Sequence, residues 1–260
     1  MVKTLAVAGK GGSGKTTFSA LLIKYLLHEK QGPVLAVDAD PNATLGEALG
    51  IKPAGKIVDI LEEVRQNPGI IPAGTTKDRY IEYRVQEALA ETKGVDLLVM
   101  GRPEGPGCYC YVNDLLRHIL NRLMDNYRYI VIDNEAGMEH LSRRVVRKMD
   151  CLFLVSDYSQ VGVKSALRIL DLIQELKITS PHKFLVINKV SSEVKEPQAL
   201  PKKLLDFIPV SDIESIGLIP WDESLESFSL NGHPLDKISP DSPAWQAAVK
   251  FLYGIFKVSG

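Results

Sequence analysis

The chain has 260 residues, 45% of them hydrophobic and 24% charged, with a formal net charge of -1. That is ordinary globular composition, long enough for one large α/β domain, and near-neutral charge gives no support to a nucleic-acid partner. Three cysteines, odd and sparse, do not make a disulfide framework and point to a reducing, cytoplasmic compartment.

The chain enters its first strand by Lys3, which leaves no room for a signal peptide, and no apolar run reaches bilayer length. No membrane role is expected. That strand, Thr4–Ala8, runs into Gly9-Lys10-Gly11-Gly12-Ser13-Gly14-Lys15-Thr16-Thr17, and a helix follows with Phe18, Leu21, Leu22, Tyr25 and Leu26 on one stripe. Strand, glycine loop and helix together read as a phosphate-binding loop. Glycines let backbone N–H groups turn toward phosphates, and the helix N-terminus adds its positive dipole end. Gly11, Gly12, Ser13, Gly14 and Thr17 form the cradle, Lys15 meets the β/γ-phosphates, and the Thr16 hydroxyl ligates Mg²⁺.

The second strand, Val34–Val37, ends in Asp38-Ala39-Asp40-Pro41. Asp38 is the candidate for the outer shell of Mg²⁺ or for holding a water, and Asp40 is the companion carboxylate. Loop capping is the alternative for both. The segment from Gly50 to Gly94 is surplus over a minimal core, and its patterns at Val58–Val64 and Tyr80–Ala90 read as inserted helices. A third strand, Asp96–Met100, leads to a loop at 105–111 with the sequence Gly-Pro-Gly-Cys-Tyr-Cys-Tyr. Cys108 and Cys110 can bind one soft metal ion between them. They supply two of the four thiolates a closed site takes, and a two-fold axis would supply the rest.

Tyr129–Ile132 followed by Asp133 has the form of a Walker B strand, with Asp133 holding Mg²⁺ through water. Asn134–Gly137 reads as a γ-phosphate switch with Gly137 as its pivot. Cys151–Ser156 opens on a cysteine expected to be buried and inert. Phe184–Ile187 leads to Asn188-Lys189, and Ser215–Ile219 leads to Pro220. A last stripe, Trp245, Val249, Leu252 and Phe256, is expected to pack back onto the sheet. Strands rich in Val, Ile and Leu alternating with helices predict a single α/β domain spanning 1–260. Its central sheet would be mostly parallel and flanked by helices on both faces.

The loop pattern with Lys10 resembles the deviant Walker A of the nitrogenase-iron-protein and cell-division ATPase class. That resemblance implies ATP as the nucleotide, and Lys10 reaching the partner subunit's phosphates across a homodimer. It implies that Asp40 orients the attacking water, so that Lys10, Lys15, Asp38 and Asp40 form the catalytic set. It also implies that Asn188, Lys189 and Pro220 recognise adenine.

Gly-Arg-Pro-Glu-Gly-Pro-Gly-Cys-Tyr-Cys at 101–110 and Ala136-Gly137-Met138-Glu139-His140-Leu141 narrow the resemblance. With the loop and the Asp-x-Asp-Pro pair, they look like the nickel-insertion ATPases that mature carbon monoxide dehydrogenase and acetyl-CoA synthase. This family implies one nickel ion, or zinc in its place, shared between two Cys108/Cys110 pairs. It further implies a client metalloenzyme and a metal-release cycle driven by ATP hydrolysis. Glu139 and His140 are either transfer ligands or an ordinary helix start.

Two rivals remain. An iron–sulfur electron-transfer ATPase wants a cysteine after the Walker B strand, where Asn134–Gly137 has none. A cell-division or partition-type positioning ATPase leaves Cys108-Tyr109-Cys110 without a purpose.

Overall fold

The computed structural model describes residues 3–101, 121–136, 148–209 and 211–258. Within them, seven strands form one sheet: β1 (Lys3–Gly9), β2 (Val34–Ala39), β3 (Val95–Val99), β4 (Tyr129–Ala136), β5 (Cys151–Asp157), β6 (His182–Val190) and β7 (Ser215–Pro220). Their order is β3-β2-β4-β1-β5-β6-β7, and each neighbouring pair is parallel. The seven expected strands are all present.

Parallel strands carry helices on both faces, so both faces must be apolar. In β1, Leu5 and Val7 enter one core while Ala6 and Ala8 enter the other. The first core is closed by α1 (Lys15–His28) and by a C-terminal helix over Pro243–Val258. The second is closed by α3 (Ile57–Gln66), α4 (Lys77–Glu87) and α5 (Gln160–Glu175). A five-residue helix, α2 (Leu45–Leu49), follows β2 and was not anticipated. Further short helices are α6 (Lys202–Leu205) and α7 (Glu223–Asn231), which makes Pro243–Val258 α8.

The inserted helices α3 and α4 bury Ile57, Ile60, Leu61, Val64, Ile81 and Val85, and Arg84 bridges them to Glu63 at 2.9 Å. The second of them stops earlier than expected. It ends at Glu87 rather than Ala90, because Ala90 pairs antiparallel with Leu97 of the edge strand. Covering an open edge this way satisfies backbone groups that a longer helix would leave bare.

The C-terminal stripe packs inward as expected. Trp245 and Leu252 are buried, Val249 and Phe256 lie against the same core, and the Phe256 ring stacks on Tyr25. Cys151 is buried, and burial pushes its thiol up to about 12, so it stays protonated. No helix among the described residues is long and apolar enough to cross a membrane.

The order of strands places the site. β1 is central, the chain moves to one side for β2 to β4, and then to the other for β5 to β7. The reversal opens a crevice at the carboxyl end of β1, where open α/β sheets bind ligands.

Candidate functional site

The loop after β1 is held from beneath and above. A side chain on Gly9 would meet the Val155 carbonyl of β5 at 2.1 Å, so only glycine lets the loop leave the sheet there. Gly14 has φ 91° and starts α1, and a side chain there would strike Asn188 Nδ2 at 2.1 Å. Asn188 Nδ2 donates to the Ser13 carbonyl at 3.0 Å, while its Oδ1 accepts from Lys189 N–H at 2.9 Å. Its amide therefore ties the phosphate loop to the end of β6, a job beyond the base recognition expected of it.

Lys15 is buried, and its Nζ donates to the Lys10 carbonyl at 3.2 Å. Lys10 itself is exposed on the rim. Thr16 Oγ1 donates to Asp133 Oδ2 at 2.6 Å, and Ser19 Oγ donates to Asp133 Oδ1 at 3.0 Å. The two hydroxyls are three residues apart on α1, so both face Asp133 of β4. Burial raises the Asp133 carboxyl to about 6, opposed by the bonds from Thr16 and Ser19 and by the charge of Lys15. A hydroxyl backed by a carboxylate, with Asp40 lining the same cleft, is the hard oxygen set that Mg²⁺ takes. Ser19 was missed in the sequence, although its spacing from Thr16 was the available signal.

Asp38 lies beside Asp133 in the β2–β4 register and has no solvent exposure. Its Oδ1 accepts from Asp40 N–H at 3.1 Å and its Oδ2 from Leu45 N–H at 2.8 Å. Burial raises this carboxyl to about 7 despite the Leu45 bond, with the Asp133 charge adding to the rise. Each oxygen thus takes one backbone N–H, a tie to the following turn. Thr44, also missed, stands with its hydroxyl 3.5 Å from that of Thr16.

Lys15, Thr16, Asp40 and Thr44 line a cleft of ≈ 730 Å³, with Asp38, Asp133 and Ser19 behind its walls. At the phosphate end it is walled by Gly11, Gly12, Gly14, Lys15, Thr16 and Thr17, with Asp40 and Glu135 facing them. The other end is walled by Asn188, Lys189, Pro220, Trp221, Leu225 and Glu226. Trp221 is half exposed there, next to the Pro220 expected at the adenine. Beneath it, Asp222 caps two helices. It accepts from Ser224 N–H, Ser224 Oγ, Ser242 Oγ and Ala244 N–H. Burial would raise its carboxyl, but these bonds outweigh burial and hold it below the usual range.

Cys108, Cys110, Gly137, Glu139 and His140 lie outside the described residues. Among the described residues no three His, Cys, Asp or Glu side chains gather as a metal cluster.

A family model described as the CobQ/CobB/MinD/ParA nucleotide binding domain matches residues 4–235. An uncharacterised ATP-binding protein of Methanocaldococcus jannaschii is 43% identical over 89% of this chain and 89% of its own. The carbon monoxide dehydrogenase accessory protein CooC of Rhodospirillum rubrum is 31% identical over 91% of this chain and 90% of its own. Among solved structures, the Pyrococcus furiosus cell division ATPase MinD superposes with a TM-score of 0.68 at 22% identity. It covers 99% of this chain and 100% of its own. At that identity the likeness concerns the fold.

Proposed function

The chain belongs to the CobQ/CobB/MinD/ParA nucleotide-binding family of P-loop ATPases. On that premise we propose that it hydrolyses Mg·ATP as a homodimer and couples hydrolysis to the delivery of a soft metal ion. Nickel is the proposed cargo, with zinc able to take the same site. The client is carbon monoxide dehydrogenase or acetyl-CoA synthase. One observation carries the reading. Cys108 and Cys110 follow Gly105-Pro106-Gly107 in the sequence of a chain 31% identical, over nearly its whole length, to a carbon monoxide dehydrogenase accessory protein.

In this reading the N–H groups of the loop receive the phosphates, and Lys15 leaves the Lys10 carbonyl for the β/γ-phosphate oxygens. Thr16 and Asp133 would hold Mg²⁺, which would supply neutralisation of the charge on those oxygens. Asp40 orients the water that attacks the γ-phosphorus. Lys10, exposed on the rim, reaches the nucleotide of the partner subunit. Two thiolate pairs across the dimer axis close one four-sulfur site. A shared metal and a shared nucleotide both favour the closed dimer, so each strengthens binding of the other. Hydrolysis loosens the dimer and releases the metal.

The test is metal analysis with sizing, with and without a non-hydrolysable ATP analogue, on the wild type and on Cys108→Ser/Cys110→Ser. About one nickel or zinc per wild-type dimer and none in the double variant is expected from a four-thiolate site. Retention of metal by the double variant would defeat the proposal. A positioning ATPase that uses a membrane surface is the second reading, and α8 counts against it. Its apolar residues Trp245 and Leu252 are already spent on the sheet.

A further inference from the structure

We infer that Asp38 is a positioning residue whose carboxylate clamps the turn from Asp40 to Leu45, aiming Asp40 into the cleft and holding Thr44 beside Thr16. The inference rests on the proposed hydrolytic role of Asp40. Asp38 does not line the cleft; Asp40, two residues on, does. Asp38 is fully buried, its Oδ1 takes Asp40 N–H and its Oδ2 takes Leu45 N–H. Those two donors are the entry of the turn and the first residue of α2. One rigid side chain thus ties both ends of a five-step excursion to the end of β2.

The excursion needs such a tie. Ala43 has φ 52°, a left-handed conformation unfavourable for a residue with a Cβ, and its N–H closes back on the Asp40 carbonyl at 3.0 Å. Strained turns persist where surrounding bonds over-determine them. α2 has five residues, too few to hold its own N-terminus in place. Thr44, the residue before it, makes no side-chain cap bond. The Leu45 N–H is capped instead by Asp38, from seven residues earlier.

The neighbouring strand repeats the device. Asp133, paired in register with Asp38, holds Thr16 and Ser19 of α1 by their hydroxyls. Two adjacent buried carboxylates therefore each fix one wall of the cleft: Asp133 the wall of the phosphate loop, Asp38 the wall that carries Asp40 and Thr44.

Amide hydrogen exchange on the full chain without nucleotide reads the clamp directly. In the wild type, Leu45 N–H should exchange at least about tenfold slower than its intrinsic rate. In Asp38→Asn, which keeps the shape but offers one acceptor for two donors, exchange at Asp40 or Leu45 should rise about tenfold or more. Asp40→Asn should leave Leu45 exchange unchanged. In steady-state hydrolysis, Asp38→Asn should lower kcat about tenfold or more while ADP affinity stays within about threefold.

The double variant Asp38→Asn/Asp40→Asn should be no slower than Asp40→Asn alone, since Asp38 acts through Asp40. Additive losses would mean that Asp38 does chemistry of its own, and the inference would fall. It would fall equally if Leu45 N–H were unprotected in the wild type, a result that needs no variant to fold. Wild-type turnover by Asp40→Asn would instead overturn the hydrolytic reading, and exchange would then decide the clamp by itself.

Discussion

The two ends of the cleft are built on different plans. At the phosphate end Lys15, Asp38 and Asp133 are buried and each is already hydrogen-bonded, to the Lys10 carbonyl, to backbone N–H groups and to two hydroxyls. At the other end Lys189, Trp221 and Glu226 are exposed, the first two where β6 and β7 end and the third within α7. Even Asp222, the buried acid of that end, is spent on capping α7 and α8. A phosphate tail is the same in every nucleotide and calls for a preorganised cradle, whose donors need no rearrangement to receive charge. A base is flat and apolar on its faces, and an exposed aromatic ring can meet it with little cost in order.

Replacing Lys15 breaks the comparison hardest. Lys15→Ala should lower kcat for ATP hydrolysis by at least about a hundredfold, measured by phosphate release, because it deletes the buried cation of the cradle. Wild-type turnover would end the ATPase assignment. Ser19→Ala comes next. It leaves one oxygen of a buried carboxylate without a donor and should cost about 1–3 kcal/mol in urea unfolding. Ser19→Thr, which keeps the hydroxyl, should recover part of that loss. A full-strength alanine variant would show that Asp133 does not depend on α1.

Trp221→Ala tests the other end. It should weaken ADP binding about fivefold or more by calorimetry, the scale of base–aromatic stacking, and leave pyrophosphate binding unchanged. Equal loss for both ligands would place Trp221 in a structural role.

The smallest effect is on pH dependence, and the two ends should differ in sign. Asp38 and Asp133 have carboxyls raised to about 7 and about 6. Between the ordinary carboxylate value and those values the folded chain binds more protons than the unfolded one. Stability from this end is therefore greatest in acid and falls as pH rises from about 4 to about 7. Asp222 is shifted down, so its contribution is present above the ordinary carboxylate value and is lost as pH falls through its lowered one. Thermal melts of the nucleotide-free protein from pH 3 to 8 read both. Asp38→Asn should flatten the limb between about 4 and 7, since its side chain no longer titrates. An unchanged limb would refute the assignment.

Much of this was legible in the chain. All seven strands were visible as buried apolar runs, since a strand covered on both faces by helices has no polar side to show. The phosphate loop was legible because its glycines answer a local demand, close backbone approach and left-handed turns, which the sequence states residue by residue. Asp133 was legible as the acid that follows the apolar run Tyr129–Ile132, although the strand itself continues to Ala136. Less was visible for residues whose role depends on a partner far along the chain. Ser19 matters through Asp133, 114 positions away, and Asn188 through Ser13, 175 positions away.

Local pattern alone determined the strands, the long helices and the loop that opens α1, because strand and helix periods and glycine conformations are properties of neighbouring residues. Tertiary structure decided what the polar side chains at the strand ends do. Asp38 and Asp40 look alike in the chain, two acids separated by an alanine. Only the parallel pairing of β2 with β4, and the turn into α2, buries one as a backbone clamp and leaves the other lining the cleft. A carboxylate's work depends on which donors surround it, and those donors are assembled only when the sheet forms.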